Sequence, residues 1–201
     1  MTLTPLTPYL SLLPSSDIPL SADVYFIRGA RYTYIVDVGR NDDAFEAIKN
    51  TPDKKVIITH FHEDHTENLR RLMIPEEDLY VGGYTRKGVG YGTEITSQTV
   101  IDDGIKLVIT PIPNSHAKGS LCVAVNDEYL IMGDAFYSNV KGYNVSQLGE
   151  EIKLLKNLEY KYVLMSHKEK LHEKNEVIKI LEDIFSKREK DNPFIQVGYD
   201  E

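Results

Sequence analysis

The chain has 201 residues, a hydrophobic share of 41% and a formal net charge of −8, with a sequence pI near 5.3. That length suits one domain with a full apolar core, and the acidic balance disfavours a nucleic-acid partner because phosphate backbones are repelled. No stretch approaches the roughly 18 unbroken apolar residues of a membrane helix, so no membrane partner is expected.

Residues 1–20 carry prolines at positions 5, 8, 14 and 19 and no basic segment, so they read as an arm on the surface of a single domain spanning 1–201, not as an export signal. With no such signal and a single cysteine, Cys122, a reducing cytoplasmic setting is expected. Val24–Arg28 and Thr33–Val38 read as strands joined by Gly29, Ala30 and Arg31. Asp42–Lys49 reads as a helix capped by Asn41 or Asp42. Lys55–Thr59 is a nearly all-apolar strand, which suggests burial on both faces. A helix is expected from about His65 to Met73, then the strand Leu79–Val81 and a glycine-rich loop, Gly82–Thr93. Four strands follow: Thr99–Ile101, Ile105–Thr110, Leu121–Asn126 and Tyr129–Met132, the last two joined by a tight turn at Asp127 and Glu128. A helix over about Ser146–Leu158, a strand Tyr162–Met165 and a charged helix over about Lys174–Lys187 complete the chain. In that last helix Val177, Ile178, Leu181, Ile184 and Phe185 fall on one face. Meandering strands with helices between them suggest packed sheets with helices outside.

Residues 57–68 carry the chemistry. The buried strand ends at Thr59, and His60, His62, Asp64 and His65 follow at once. In extended chain, positions two apart point the same way, so His60 and His62 can face one ion. Asp64 and His65 fall where the chain turns into the next helix and can face a second point. Imidazole nitrogens bind zinc at about 2.0–2.1 Å and carboxylate oxygens at a similar range. A solvated turn that merely happens to hold three of the six histidines is the bland alternative, and the placement directly after a buried strand argues against it. Further ligands lie at other strand exits: His116 after the strand ending near Thr110, Asp134 after Met132, and His167 after Met165.

With those residues in place the chain resembles the metallo-β-lactamase superfamily. It carries the His-x-His-x-Asp-His signature as His60, His62, Asp64 and His65, followed by His116, Asp134 and His167 in the family's order. Asp37 matches an early strand-end Asp, and His116 with Gly119 and Ser120 matches a His-x-x-Gly-Ser segment. The resemblance spans about Val24 to His167. It implies an α+β fold, an αββα four-layer sandwich with the site at one edge of two sheets. It further implies two divalent metal ions, zinc first, with iron or manganese as alternatives. His60, His62 and His116 would hold one ion, Asp64, His65 and His167 the other, and Asp134 would bridge them. Asp37 would orient the ligand loop from behind.

Such a site, with ions about 3.5–4 Å apart, lowers the pKa of a shared water. The implied reaction is attack by a metal-bridging hydroxide on an ester, thioester, lactone or related bond of a small molecule, with Asp64 as catalytic base or orienting group. An Asp stands where β-lactamases carry a Cys ligand, which argues against antibiotic hydrolysis. The short chain beyond His167 argues against a glutathione thioester. Two other readings are a single-iron persulfide-dioxygenase-like oxidoreductase on His60, His116 and Asp134, and a scaffold protein without turnover. Tyr84, in the glycine-rich loop, and Tyr137, beside Asp134, are candidate substrate contacts. Phe136 reads as either core or pocket wall. Cys122 reads as a buried inert thiol and His172 as a solvated surface residue.

Overall fold

The computed structural model describes residues 3–136, 138, 140–167 and 171–197. Two large sheets organise them. The first orders its seven strands Thr4–Pro5, Leu10–Leu13, Val24–Arg28, Thr33–Val36, Lys54–Ile57, Leu79–Val81 and Thr93–Glu94. Pairing is antiparallel as far as Thr33–Val36 and parallel beyond it. The second sheet orders Thr99–Asp102, Lys106–Pro111, Leu121–Val125, Tyr129–Ile131, Tyr162–Leu164 and His172–Glu173, with a parallel pair only between Tyr129–Ile131 and Tyr162–Leu164.

Strand alternation explains the layering. Tyr25 and Ile27 point into the space between the sheets, where they meet Leu107, Ile109, Leu121, Val123 and Val125. Val24 and Phe26 point the other way, onto α1 (Asp42–Lys49) and α3 (Leu69–Leu72), which α2 (Glu63–Thr66) precedes in the chain. On the outer face of the second sheet, Cys122, Ala124 and Leu130 pack against α5 (Val145–Asn157) and α6 (Lys174–Ser186). Helix, sheet, sheet, helix is therefore the order of layers, and Leu121–Val125 is apolar throughout because both of its faces are covered. Among the described residues no helix is long and apolar enough to cross a membrane.

The structure corrects three expectations. The N-terminal stretch is not a surface arm: Leu10–Leu13 pairs with Val24–Arg28, and Leu10 and Leu13 are fully buried. The helix expected over His65–Met73 is two short helices. The chain breaks at Asn68, whose side-chain amide donates to the carbonyls of Val38 and Asn41 at 3.0 Å each, docking the 38–41 loop in the gap. The glycine-rich segment is not all loop, since Gly83–Val89 forms a helix, α4, closed by Gly90 at φ +90°. Gly82 is needed there because a Cβ would collide with the carbonyl of Gly119.

Candidate metal centre

Strand exits from both sheets converge on one point. Asp37, just past Thr33–Val36, adopts φ +61° and turns its carboxylate inward. One of its oxygens accepts from the Thr59 amide at 2.8 Å. The other accepts from Thr59 Oγ1 and lies 2.7 Å from His65 Nδ1. That contact fixes His65 with Nε2 facing the site. Gly133, at φ +58°, lets the second sheet close on the first, since a Cβ there would lie 2.7 Å from Thr59 Oγ1. Leu121 donates to the Thr59 carbonyl and Ser166 to the Gly133 carbonyl, so the exits leading to His116, Asp134 and His167 are tied together.

Two groups of candidate ligands result: His60, His62 and His116, and beside them Asp64, His65, Asp134 and His167. Within each group the ligand atoms lie within 4.8 Å of one another. His60 Nε2 is 3.1 Å from His62 Nδ1. His65 Nε2 is 3.4 Å from Asp64 and 3.3 Å from Asp134, and His167 Nε2 is 3.0 Å from Asp64 Oδ2. Asp134 Oδ2 also lies 3.9 Å from His60 Nε2, so this carboxylate faces both groups.

The donor set fits divalent cations. Asp134 Oδ1 is enclosed and makes no hydrogen bond among the described residues, and His65 Nε2 is enclosed with only the 3.3 Å and 3.4 Å approaches of Asp134 and Asp64. Orphaned polar atoms of this kind cost about 1–3 kcal/mol each, and a cation among them removes that penalty. Protonation also suits the purpose. Burial, reinforced by the charge on His65, pushes His60 down to about 2, and burial pushes His116 down to about 4, so both rings are neutral near pH 7. Burial opposes charge on His65, but Asp37 and Asp134 outweigh it and hold this imidazole up to about 10. The second group thus attracts positive charge, which a proton supplies in the chain alone and a cation on Nε2 would replace. Burial also works against charge on Asp64 and Asp134, yet His167 and His65 keep both carboxyls below their ordinary range.

A residue not singled out in the sequence completes the support. Asp23, only 4% exposed, accepts from the His167 amide at 2.9 Å and the Ser15 amide at 2.7 Å, and its own amide donates to Ser166 Oγ. His167 is held at φ +58°, an uncommon left-handed conformation for a residue with a side chain. Next to Asp23, the Ala22 amide donates to the Asp64 carbonyl. Ala22 and Asp23 therefore fasten two members of the second group from outside it. The position of Asp23 just ahead of a strand was the only signal in the sequence.

A family model described as the metallo-beta-lactamase superfamily matches residues 17–167. The chain belongs to the metallo-beta-lactamase superfamily. Its members are largely hydrolytic metalloenzymes. Solved structures share the fold at low identity. A metallo-beta-lactamase from Pontibacter korlensis matches with a TM-score of 0.68 at 15% identity, over 90% of this chain and 99% of that one. An archaeal superfamily protein from Sulfolobus tokodaii matches at 0.63 and 20%, over 96% and 91%. A flavodiiron protein from Giardia intestinalis matches at 0.66 and 13%, over 93% of this chain but only 60% of its own. No curated protein sequence matches.

The remaining candidates of this superfamily member are placed unevenly. Tyr84 sits on α4, 48% exposed and 6.5 Å from the Phe61 ring, and is not among the residues lining the cavity over the ligands. Tyr137 lies outside the described residues. Phe136 both packs on the outer core and lines that cavity. His172 is not a solvated surface residue: it is half-buried in a strand, lines the same cavity and has its Nδ1 enclosed. Cys122 is fully buried, and burial pushes its thiol up to about 12, which leaves it inert.

Proposed function

We propose that this protein is a metal-dependent hydrolase that holds two divalent cations, zinc first, and cleaves an ester, thioester or lactone of a small molecule. The observation that carries this reading is the second ligand group. Asp64, His65 and His167 are not needed by a single ion on His60, His116 and Asp134, yet they cluster together, with His65 held by Asp37 and His167 by Asp23. That favours two cations over the single-iron oxidoreductase reading. When bound, such ions acidify water and polarise a carbonyl oxygen.

The chain's own groups would do the rest. Asp64 is a charged acceptor whose Oδ2 is fixed by His167, so it can take a proton from the attacking water. The water oxygen bonds to the acyl carbon, the bond to the leaving oxygen or sulfur breaks, and the proton on Asp64 passes to that leaving atom. Asp37 keeps His65 in the ligating tautomer throughout.

The reading is tested by elemental analysis of the purified protein, followed by an ester, lactone, thioester and phosphodiester panel on wild type and His62→Ala. Two equivalents of metal, with turnover lost in the variant while its circular dichroism is unchanged, are expected. Normal turnover by metal-replete His62→Ala would overturn the proposal.

A further inference from the structure

The cavity over the ligand groups has a far side that the proposed chemistry does not use. It measures about 1150 Å³, a little above the usual range of ligand pockets. Five candidate ligands, His62, Asp64, His116, Asp134 and His167, line part of it. One face of α6, with Val177, Ile180, Leu181 and Ile184 at i, i+3, i+4 and i+7 spacing, also lines it; Val177, Leu181 and Ile184 are rooted in the outer core, and Ile180 is the residue of that face left open. Met165 and Phe194 extend that wall. Ile180 is 48% exposed and Leu20, contributed by the N-terminal segment, is 50% exposed, so both offer aliphatic surface to an occupant.

Charge sharpens the picture. No lysine or arginine is among the described residues lining the cavity, and its only carboxylates are Asp64 and Asp134. A substrate with a remote phosphate or carboxylate would give up hydration there without meeting a cation among those described residues. An aliphatic chain would gain instead, by up to about fourfold in affinity for each methylene buried.

We propose that α6 and Leu20 form an acyl-chain site, and that the substrate is a neutral aliphatic ester, thioester or lactone with its carbonyl at the ligand cluster and its chain along α6. The identity of the substrate rests on the hydrolase reading; the affinity of the wall for a chain does not. Ile180 is then a specificity-determining residue, standing half-exposed where the chain passes.

The test uses the zinc-loaded protein and p-nitrophenyl esters from acetate to decanoate. kcat/KM is expected to rise about two- to fourfold per methylene until the wall is covered. Ile180→Asp is expected to cut the decanoate-to-acetate ratio by about tenfold or more. The half-exposed position makes this variant compatible with folding, which circular dichroism checks. A flat series from an active enzyme, or faster cleavage of bis-p-nitrophenyl phosphate than of decanoate, would overturn the acyl-chain site and leave a hydrolase. If no ester, thioester, lactone or phosphodiester is cleaved, the hydrolase reading fails and the site is read on metal-free protein by calorimetry. Decanamide is expected to bind, more tightly than butanamide and more weakly in Ile180→Asp. No binding of decanamide would overturn the site.

Discussion

Asp37 and Asp23 each hold a different candidate ligand of the second group. Asp37 sets the ring of His65 through Nδ1, whereas Asp23 sets the backbone of His167 through its amide. Asp37→Ala is expected to weaken metal binding about 10–100-fold, by analogy with other carboxylates that support a ligating imidazole; calorimetric metal titration reads this, and an unchanged affinity would contradict it. Asp23→Ala is expected to lose one metal equivalent and keep the one on His60, His62 and His116, because only the second group leans on Asp23. Elemental analysis finding two equivalents in that variant would show that His167 needs no such support. The candidate ligands were legible in the sequence because few residue types bind metals and six positions held four of them. Asp23 was not, because its contact with His167 spans 144 positions and leaves no local trace.

At the scale of elements, α4 and α5 carry informative exceptions. The glycines around α4 suggested a loop, but Gly82 serves a close approach to Gly119, so local propensity gave way to tertiary contact. Gly82→Ala is expected to destabilise the fold by about 1–3 kcal/mol, measurable as a fall in Tm; an unchanged Tm would contradict the contact. In α5, Glu151 is 2% exposed on the face that carries Leu148 and Leu155, and burial pushes its carboxyl up to about 9. Folding therefore favours its protonated form. That contribution is complete below about pH 4.5 and is lost as pH rises toward 9. Glu151→Gln is expected to remove this decline and to be more stable than wild type in alkaline buffer, by on the order of a few kcal/mol. Thermal melts across pH test this, and a wild-type-minus-variant difference that does not change with pH would refute it. α1 followed its sequence closely, with Asn41 capping it by accepting from the Ala44 amide at 2.8 Å, because capping is a local interaction.

For the whole molecule, the sequence conveyed the layers less directly than the ligands. The run Lys55–Thr59 suggested a strand buried on both sides, as Val56, Ile57, Ile58 and Thr59 are, and the resemblance supplied the four-layer arrangement that periodicity alone left open. The N-terminal strands escaped notice because prolines interrupt them and Leu10–Leu13 is too short to show a period. The finished sandwich places every candidate ligand at one edge, where the ends of both sheets meet, so cation binding would brace the two sheets against each other. Metal removal by a chelator is therefore expected to lower Tm, and added zinc to restore it, since ions bind the folded arrangement and not the open chain. The most direct measurement is a titration of metal-free protein with zinc while hydrolysis of an aliphatic ester or lactone is followed. Two supported ligand groups predict that turnover saturates at two equivalents per chain. Full turnover in chelator-treated protein, or none with two equivalents bound, would contradict a two-metal hydrolase.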